Sequence, residues 1–293
     1  MSATTALPAA VPARRRRPRA QLRLYVGGAI VGTTILLALF APLVAPYDPV
    51  VQELTRRLLP PAFMGGASDH LLGTDSLGRD TLSRLLYGAR ISLIVGLAAV
   101  FVQGGIGIPL GLLAGYRGKA WDMWLSRAMD IQLALPVLVL AIAILGILGP
   151  SLEKLILVLG ITGWVVYARI ARAASLALRE TDLVTAARAI GARDIRVMAR
   201  HVFPNSVTAL SVVGTQQVAA MILAEAALSY LGLGVPSPTP SWGGMVVDGR
   251  NYIASAWWIS TVPGVTIMFV VLGINLLGDW IADNMNPLMR RVS

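Results

Sequence analysis

At 293 residues, 56% hydrophobic and only 14% charged, the chain is too apolar for a soluble domain, which carries about 25% charge. The absence of cysteine excludes disulfides, thiol chemistry and thiolate metal sites. A net charge of +10 would suit nucleic acid, but the placement of the charges along the chain excludes that reading.

Residues 1–22 are rich in Ala, Pro and Arg and predict a disordered basic tail at an anionic membrane face. Residues 23–45 contain the apolar run Leu24 to Val44, long enough to cross roughly 30 Å of hydrocarbon and longer than a signal-peptide core. Residues 46–90 read as an extracytoplasmic loop. It contains His70, Gly73, Thr74, Asp75, Gly78, Arg79 and Asp80. A single His among carboxylates is a poor metal set, and the two glycines signal tight turns, so a structural clamp of loop onto helix is expected. Leu82, Leu85, Leu86 and Ala89 follow at helical spacing and predict a short interfacial helix before the next span.

Residues 91–285 read as a core of five further spans. In the first, Ser92 to Tyr116, Gly107, Gly111 and Gly115 form a small-xxx-small ladder that lets another helix approach closely. Gly118-Lys119 is not a phosphate loop, because Ala120 and Leu113 stand where that pattern needs Ser/Thr and Gly. Trp121 to Leu148 predicts the next span, with Pro136 as a kink and with Arg127 and Asp130 spaced to pair. The span after Leu155 continues past Ala168 into Arg169, Arg172 and Arg179.

Leu183 to Pro204 is a basic island. Leu183, Ala186, Ala187 and Ile190 form one apolar helical stripe, Gly191 stops the helix, and a second helix starts near Asp194. Ile195, Met198, Ala199 and Val202 repeat the stripe, with Arg193, Arg196 and Arg200 opposite, and Pro204 punctuates before the next span. Val207 to Leu233 is interrupted by Glu225, whose two readings are a hydrogen-bonded lock near the outer surface and a substrate contact. A Pro/Gly/Trp-rich loop leads to the last span, Ile259 to Ile281, closed by Asp279, Asp283, Asn286 and Pro287. Residues 286–293 read as a second cytoplasmic tail.

With the N-terminus inside, the inner segments hold Arg14 to Arg17, Arg19, Arg23, Arg117, Lys119, Arg127, Arg169, Arg172, Arg179, Arg188, Arg193, Arg196, Arg200, Arg290 and Arg291. The outer segments hold only Arg56, Arg57, Arg79, Arg84, Arg90, Lys154 and Arg250. The expectation is therefore a multi-pass protein of the cytoplasmic membrane with six transmembrane helices, both termini cytoplasmic, surrounded by lipid bilayer and with no nucleic-acid partner. The two histidines, His70 and His201, fall on opposite sides, and no nucleophile–base set or metal cluster is present. An all-α conduit fits better than an intramembrane enzyme. An ion-coupled carrier acting alone would show inverted repeats with broken helices, and no such repeat is visible.

The island also resembles a known element. Thr185-Ala186-Ala187, three residues, Gly191, nine residues, then His201-Val202-Phe203-Pro204 is similar to the EAA loop of ABC importer permeases, E-A-A-x3-G-x9-I-x-L-P. Thr185, His201 and Phe203 depart from that pattern. The stretch from His70 to Leu93, the run from Glu225 to Gly234 with Pro240-Ser241-Trp242-Gly243, and Asn275 to Asp279 resemble the C-type permease of dipeptide, oligopeptide and nickel importers. The resemblance implies a type I importer fold with a cytoplasmic coupling helix in the loop 180–205. It implies ATPase coupling through Thr185, Ala186, Ala187, Arg188, Gly191, Ala192, Arg193, Asp194, Arg196 and Pro204. It further implies a homologous B-type permease as heterodimer partner, two cytoplasmic ATP-binding subunits and an extracytoplasmic solute-binding protein. ATP and Mg would be bound by the partners, with no cofactor on this chain and no catalytic residue in it. Peptides are the expected cargo, with nickel or another small solute as the alternative.

Overall fold

The structure, a computed structural model, describes residues 17–285. The predicted basic tail before residue 17 and the tail 286–293, with Arg290 and Arg291, lie outside the described residues. Among the described residues the chain is all helical, with no strand.

Helix α1 (Arg17–Leu39) is followed by a single turn, α2 (Ala41–Val44), with Pro42 in its first turn. Two 3₁₀ turns, Leu54–Arg56 and Ala62–Met64, shape the loop. Helix α3 (Thr81–Arg117) then runs unbroken for 37 residues, about 55 Å at 1.5 Å per residue. The predicted interfacial helix is not a separate element. Asp80 caps α3, its side chain accepting from Ser83 N, and nothing between Ala89 and Ser92 breaks the helix, so Leu82 to Ala89 form the first turns of the span itself.

The next span is broken. α4 (Lys119–Leu133) and α5 (Val137–Leu148) meet at 79°. Pro136 lacks an N–H and disfavours helix at the residue before it, so the kink expected from the sequence becomes a full break. α6 (Leu152–Leu178) starts at Ser151, whose hydroxyl accepts from Lys154 N. α7 (Asp182–Ala189) and α8 (Asp194–Val197) form the basic hairpin. A π turn at Met198–Val202 joins α8 to α9 (Phe203–Tyr230).

Pro204 does not punctuate as expected, because the helix is continuous from Asp194 to Tyr230. The wide turn lets Phe203 N donate to Met198 O, five residues back, which gives the proline ring room inside the helix. The Pro/Gly/Trp segment also carries a helix, α10 (Trp242–Gly249), capped by Ser241, before α11 (Trp258–Met285). Five helices are long and apolar enough to span a membrane, and α4 with α5 makes a sixth if the bent pair counts as one.

α3 packs most extensively against α6, and glycine is the reason. A Cβ at Gly107 would lie 2.2 Å from Trp164 O, one at Gly111 2.2 Å from Ala168 O, and one at Gly115 2.5 Å from Arg172 O. Gly160 and Gly163 answer from α6, against Val102 and the Gln103 side chain. At the centre of this contact Gln103 donates to Leu159 O at 3.1 Å and accepts from Gln217 of α9 at 3.0 Å. Gly111→Leu is expected to force α3 and α6 apart, at a cost of about 1–3 kcal/mol or more. The thermal midpoint of the detergent-solubilised chain checks this. Gly105→Ala on the same helix, where a Cβ meets nothing within 4 Å, should leave the midpoint unchanged.

Candidate functional site: a basic hairpin on two long helices

The hairpin is built around Gly191, whose φ is +82°. Ala192 N donates to Ala187 O at 3.1 Å and Gly191 N to Arg188 O at 2.9 Å, the paired bonds of a glycine-terminated helix end. They supply donors to Ala187 O and Arg188 O, two of the carbonyls that a helix end leaves without an intrahelical partner. Val184 and Ala187 of α7, Val197 of α8 and Val202 are buried in one cluster with Leu112, Tyr116, Tyr167, Ala171 and Leu210. The hairpin is therefore seated on the ends of α3 and α6.

This seating corrects the stripe read from periodicity. Leu183 is 52% exposed, Ile190 86% and Ile195 72%. The hairpin is apolar on two sides, one turned to its own bundle and one turned outward. Thr185, Ala186, Arg188, Arg193, Asp194 and Arg196 are exposed around the outward side, and Ala192 is half-buried at the turn. Pro204 sits on the continuous helix below. Arg188 is held back against α3, its Nε donating to Tyr116 Oη at 3.0 Å with the guanidinium 4.7 Å from the ring centre. Gly191→Leu meets no neighbour but must adopt the left-handed region at a cost of about 1–2 kcal/mol. It is expected to insert normally and to lower solute uptake several-fold in proteoliposomes, whereas Gly191→Asn, which tolerates that region, should keep most of it.

The ion pairs beside the hairpin differ from the expected one. Asp130 pairs with Arg169 of α6 at 3.2 Å, and among the described residues Arg127 has no ion-pair partner within 4 Å. Asp122 is clasped by Arg172, whose Nη2 donates to Oδ2 at 2.8 Å. The two acids are eight residues apart on α4 and their partners three apart on α6, so α4 crosses α6 obliquely. In that crossing the side chains at 127 and 130 do not meet. Asp279 lies on α11 4.0 Å from Arg23, which bonds Asp283 at 3.0 Å.

At the opposite end of the bundle the residues of the His70 loop converge. Asp75 accepts from Leu77 N, Arg79 N and Arg79 Nε, the last at 2.7 Å, and also from the Arg84 guanidinium. Arg79 and Arg84 both reach Asp248 of α10, at 3.0 and 2.9 Å. His70 Nδ1 lies 3.0 Å from Asp80 Oδ1. Thr74 Oγ1 accepts from Leu59 N at 2.9 Å, and Thr74 O accepts from Trp258 Nε1 at 3.3 Å. Gly73 and Gly78 have φ of +74° and +75°, and a Cβ at either would strike backbone of the preceding loop. All seven sequence-marked residues thus belong to one interlock of loop, α3, α10 and the start of α11, and the carboxylates are spent on arginines, amides and His70.

Glu225 is fully buried and accepts from Ser229 Oγ at 2.8 Å, Ser241 Oγ at 2.9 Å and Ser92 Oγ at 3.3 Å. It joins α9 to α3 and to the start of α10. What sequence reasoning missed is the long-range pairing: Arg79 and Arg84 with Asp248, Asp122 with Arg172, Ser92 and Ser241 with Glu225, and Gln103 with Gln217. The one usable signal was the presence of polar side chains inside apolar runs, as at Ser92, Gln103 and Gln217.

Residues 107–291 match the family described as "Binding-protein-dependent transport system inner membrane component". Residues 21–61 match "N-terminal TM domain of oligopeptide transport permease C". The chain is 46% identical over 272 residues to the di/tripeptide transport system permease protein DppC of Pseudomonas aeruginosa (strain UCBPP-PA14), covering 91% of this chain and 90% of the relative. It is 43% identical over 270 residues to the dipeptide transport system permease protein DppC of Escherichia coli (strain K12), covering 90% of each. Among solved structures, an inward-facing form of the MetNI methionine ABC transporter is similar in fold, with TM-score 0.57, 20% identity, and 72% of this chain and 97% of that chain covered.

Proposed function

Because the chain belongs to the binding-protein-dependent transport system inner membrane components, we propose that it is the C-type permease subunit of an ATP-driven importer of short peptides. The observation that carries the cargo class is the 46% identity to a di/tripeptide permease over 91% of the chain. The chain is a multi-pass membrane protein that forms part of the conduit, not a catalytic subunit. ATP and Mg belong to two ATP-binding partner subunits. A homologous B-type permease completes the conduit, and a solute-binding protein delivers the peptide from outside.

In this reading the hairpin end is cytoplasmic, with both termini, in keeping with the excess of Lys and Arg at that end. The His70 loop and α10 face outward. The coupling set is Thr185, Ala186, Ala187, Arg188, Gly191, Ala192, Arg193, Asp194, Arg196 and Pro204. Its mechanics follow from the helices on either side. α6 leads into the hairpin, and α8 leads out through a continuous helix to Tyr230. Each is about 40–55 Å long, so a tilt imposed on the hairpin is carried as rigid-body motion rather than absorbed locally. The Asp75–Arg79–Arg84–Asp248 interlock and the Glu225 serine cluster hold the far ends together while the basic ends move. Thr185 stands where the family pattern has Glu, so no carboxylate pairs from that position, and the cationic side chains that remain exposed toward the ATPase are Arg193 and Arg196.

The test is reconstitution of the chain with its sister permease, ATPase subunits and binding protein. Uptake of a labelled dipeptide should require ATP and the binding protein together. Uptake by the chain alone, without ATP, would refute the reading.

A further inference from the structure

A cleft beside the hairpin, where α3 hands over to α4, has its own chemistry. Its volume is about 460 Å³, and Tyr116, Arg117, Lys119, Trp121, Arg188 and Asp194 line it. Three cationic side chains face one carboxylate, and Asp194 is no closer than 3.9 Å to Arg117. Both guanidinium groups are set on aromatic anchors. Arg188 uses its Nε on the hydroxyl of buried Tyr116 and lies over that ring, which leaves its terminal N–H groups free of that bond. The Arg117 guanidinium stands 5.8 Å from the ring centre of Trp121. A planar fork held in place in this way suits a tetrahedral oxyanion better than a mobile ammonium does.

The depth of the cleft points to the source of the anion. α4 mixes charged residues with exposed Trp121, Trp124 and Met123, at 49%, 68% and 51%, the composition of a helix at the boundary between headgroups and hydrocarbon. Arg169 and Arg172 stand at the same end of α6, paired to α4. The cleft therefore opens at headgroup level, beside the first turns of α4, where the broken span enters the membrane. Of the surrounding charges, Asp122 and Asp130 are taken by Arg172 and Arg169, while Lys119 has no ion-pair partner among the described residues.

We propose that this cleft binds the phosphate of an anionic phospholipid headgroup and so ties the hairpin and the α3–α4 junction to the membrane surface. The inference goes beyond the transport reading and depends neither on the cargo nor on the direction of transport.

The test reads lipid retention, not uptake. The full chain is purified in detergent and titrated with phosphatidylglycerol or phosphatidylcholine, and bound lipid is counted by native mass spectrometry. One phosphatidylglycerol should be held in preference to phosphatidylcholine. Arg117→Gln and Lys119→Gln should each weaken retention about fivefold, the effect of one basic residue near an anionic surface. Lys119→Arg should retain the lipid, and so should Arg127→Gln on the same helix, outside the cleft. All three side chains, Arg117, Lys119 and Arg127, are exposed, and matching helical content and thermal midpoints exclude misfolding as the cause of a loss. Equal retention of the two lipids, or unchanged retention by the Arg117→Gln/Lys119→Gln double variant, would overturn the proposal. Displacement by millimolar inorganic phosphate would overturn the lipid as the source and leave a free-phosphate site. Loss of the lipid on assembly with the ATPase subunits would also overturn it, because an acidic segment of that partner would then hold the cleft.

Discussion

Asp75→Ala is expected to lower the stability of the chain by about 3–5 kcal/mol, the range seen when one partner of a buried ion pair is removed. Arg79 and Arg84 are 3% and 4% exposed, so their charges cannot turn to water. After the substitution only Asp248, whose side chain is 35% exposed, would remain to neutralise both. The amides of Leu77 and Arg79 would lose their acceptor as well. The thermal midpoint of the detergent-solubilised chain should fall by many degrees. Asp69→Ala provides the comparison. Its bridge to Arg56 is as short, at 2.7 Å, but both side chains are more than 40% exposed, and an exposed pair contributes at most about 1 kcal/mol. If the two variants lose equal stability, the interlock is not what holds the loop end together.

The second large effect belongs to the outward side of the hairpin. Leu183→Asp combined with Ile190→Asp should leave the chain folded, because both side chains already stand in the open. Uptake by the reconstituted importer should fall about 30-fold, the cost of losing an apolar contact centre of about 2 kcal/mol at a protein interface. Uptake and the amount of ATPase recovered with the permease pair should fall together. Normal uptake with full assembly would mean that the exposed apolar face does not carry the contact.

How far the sequence reveals this arrangement depends on the range of each interaction. The spans are legible because twenty apolar residues in a row have few other uses, and the hairpin turn is legible because a glycine at φ +82° leaves a local mark. The glycine ladder of α3 is likewise readable, since close approach needs small residues at fixed spacing. What stays hidden is longer in range. Arg79 and Arg84 find Asp248 at separations of 169 and 164 residues, and Asp122 finds Arg172 at 50; nothing near any of them announces the partner.

Two prolines show the same limit. Pro136 and Pro204 look alike as punctuation, yet the first breaks its span at 79° and the second rides inside a continuous helix. The difference lies in the π turn before Pro204, at whose two ends Val197 and Val202 are both buried in the seat of the hairpin. Facing is the remaining gap. Periodicity marks Leu183, Ala186, Ala187 and Ile190 as one apolar stripe, but only the packed bundle divides them into one inward residue, Ala187, and three outward ones.

The proposal that the hairpin is the contact with the ATPase, with exposed Ile190 at its turn beside the coupling set, has a direct measurement. The chain contains no cysteine, so each one introduced is unique. Ile190→Cys and Ile147→Cys place a thiol at positions of equal exposure, 86% each, on the hairpin and at the far end of α5. In the assembled importer, with one cysteine introduced on the ATPase surface facing the permease, Ile190→Cys should form a disulfide-linked product that varies with nucleotide, and Ile147→Cys should form none. Failure of Ile190→Cys to cross-link to any position across that surface, in a complex that still transports, would contradict the account.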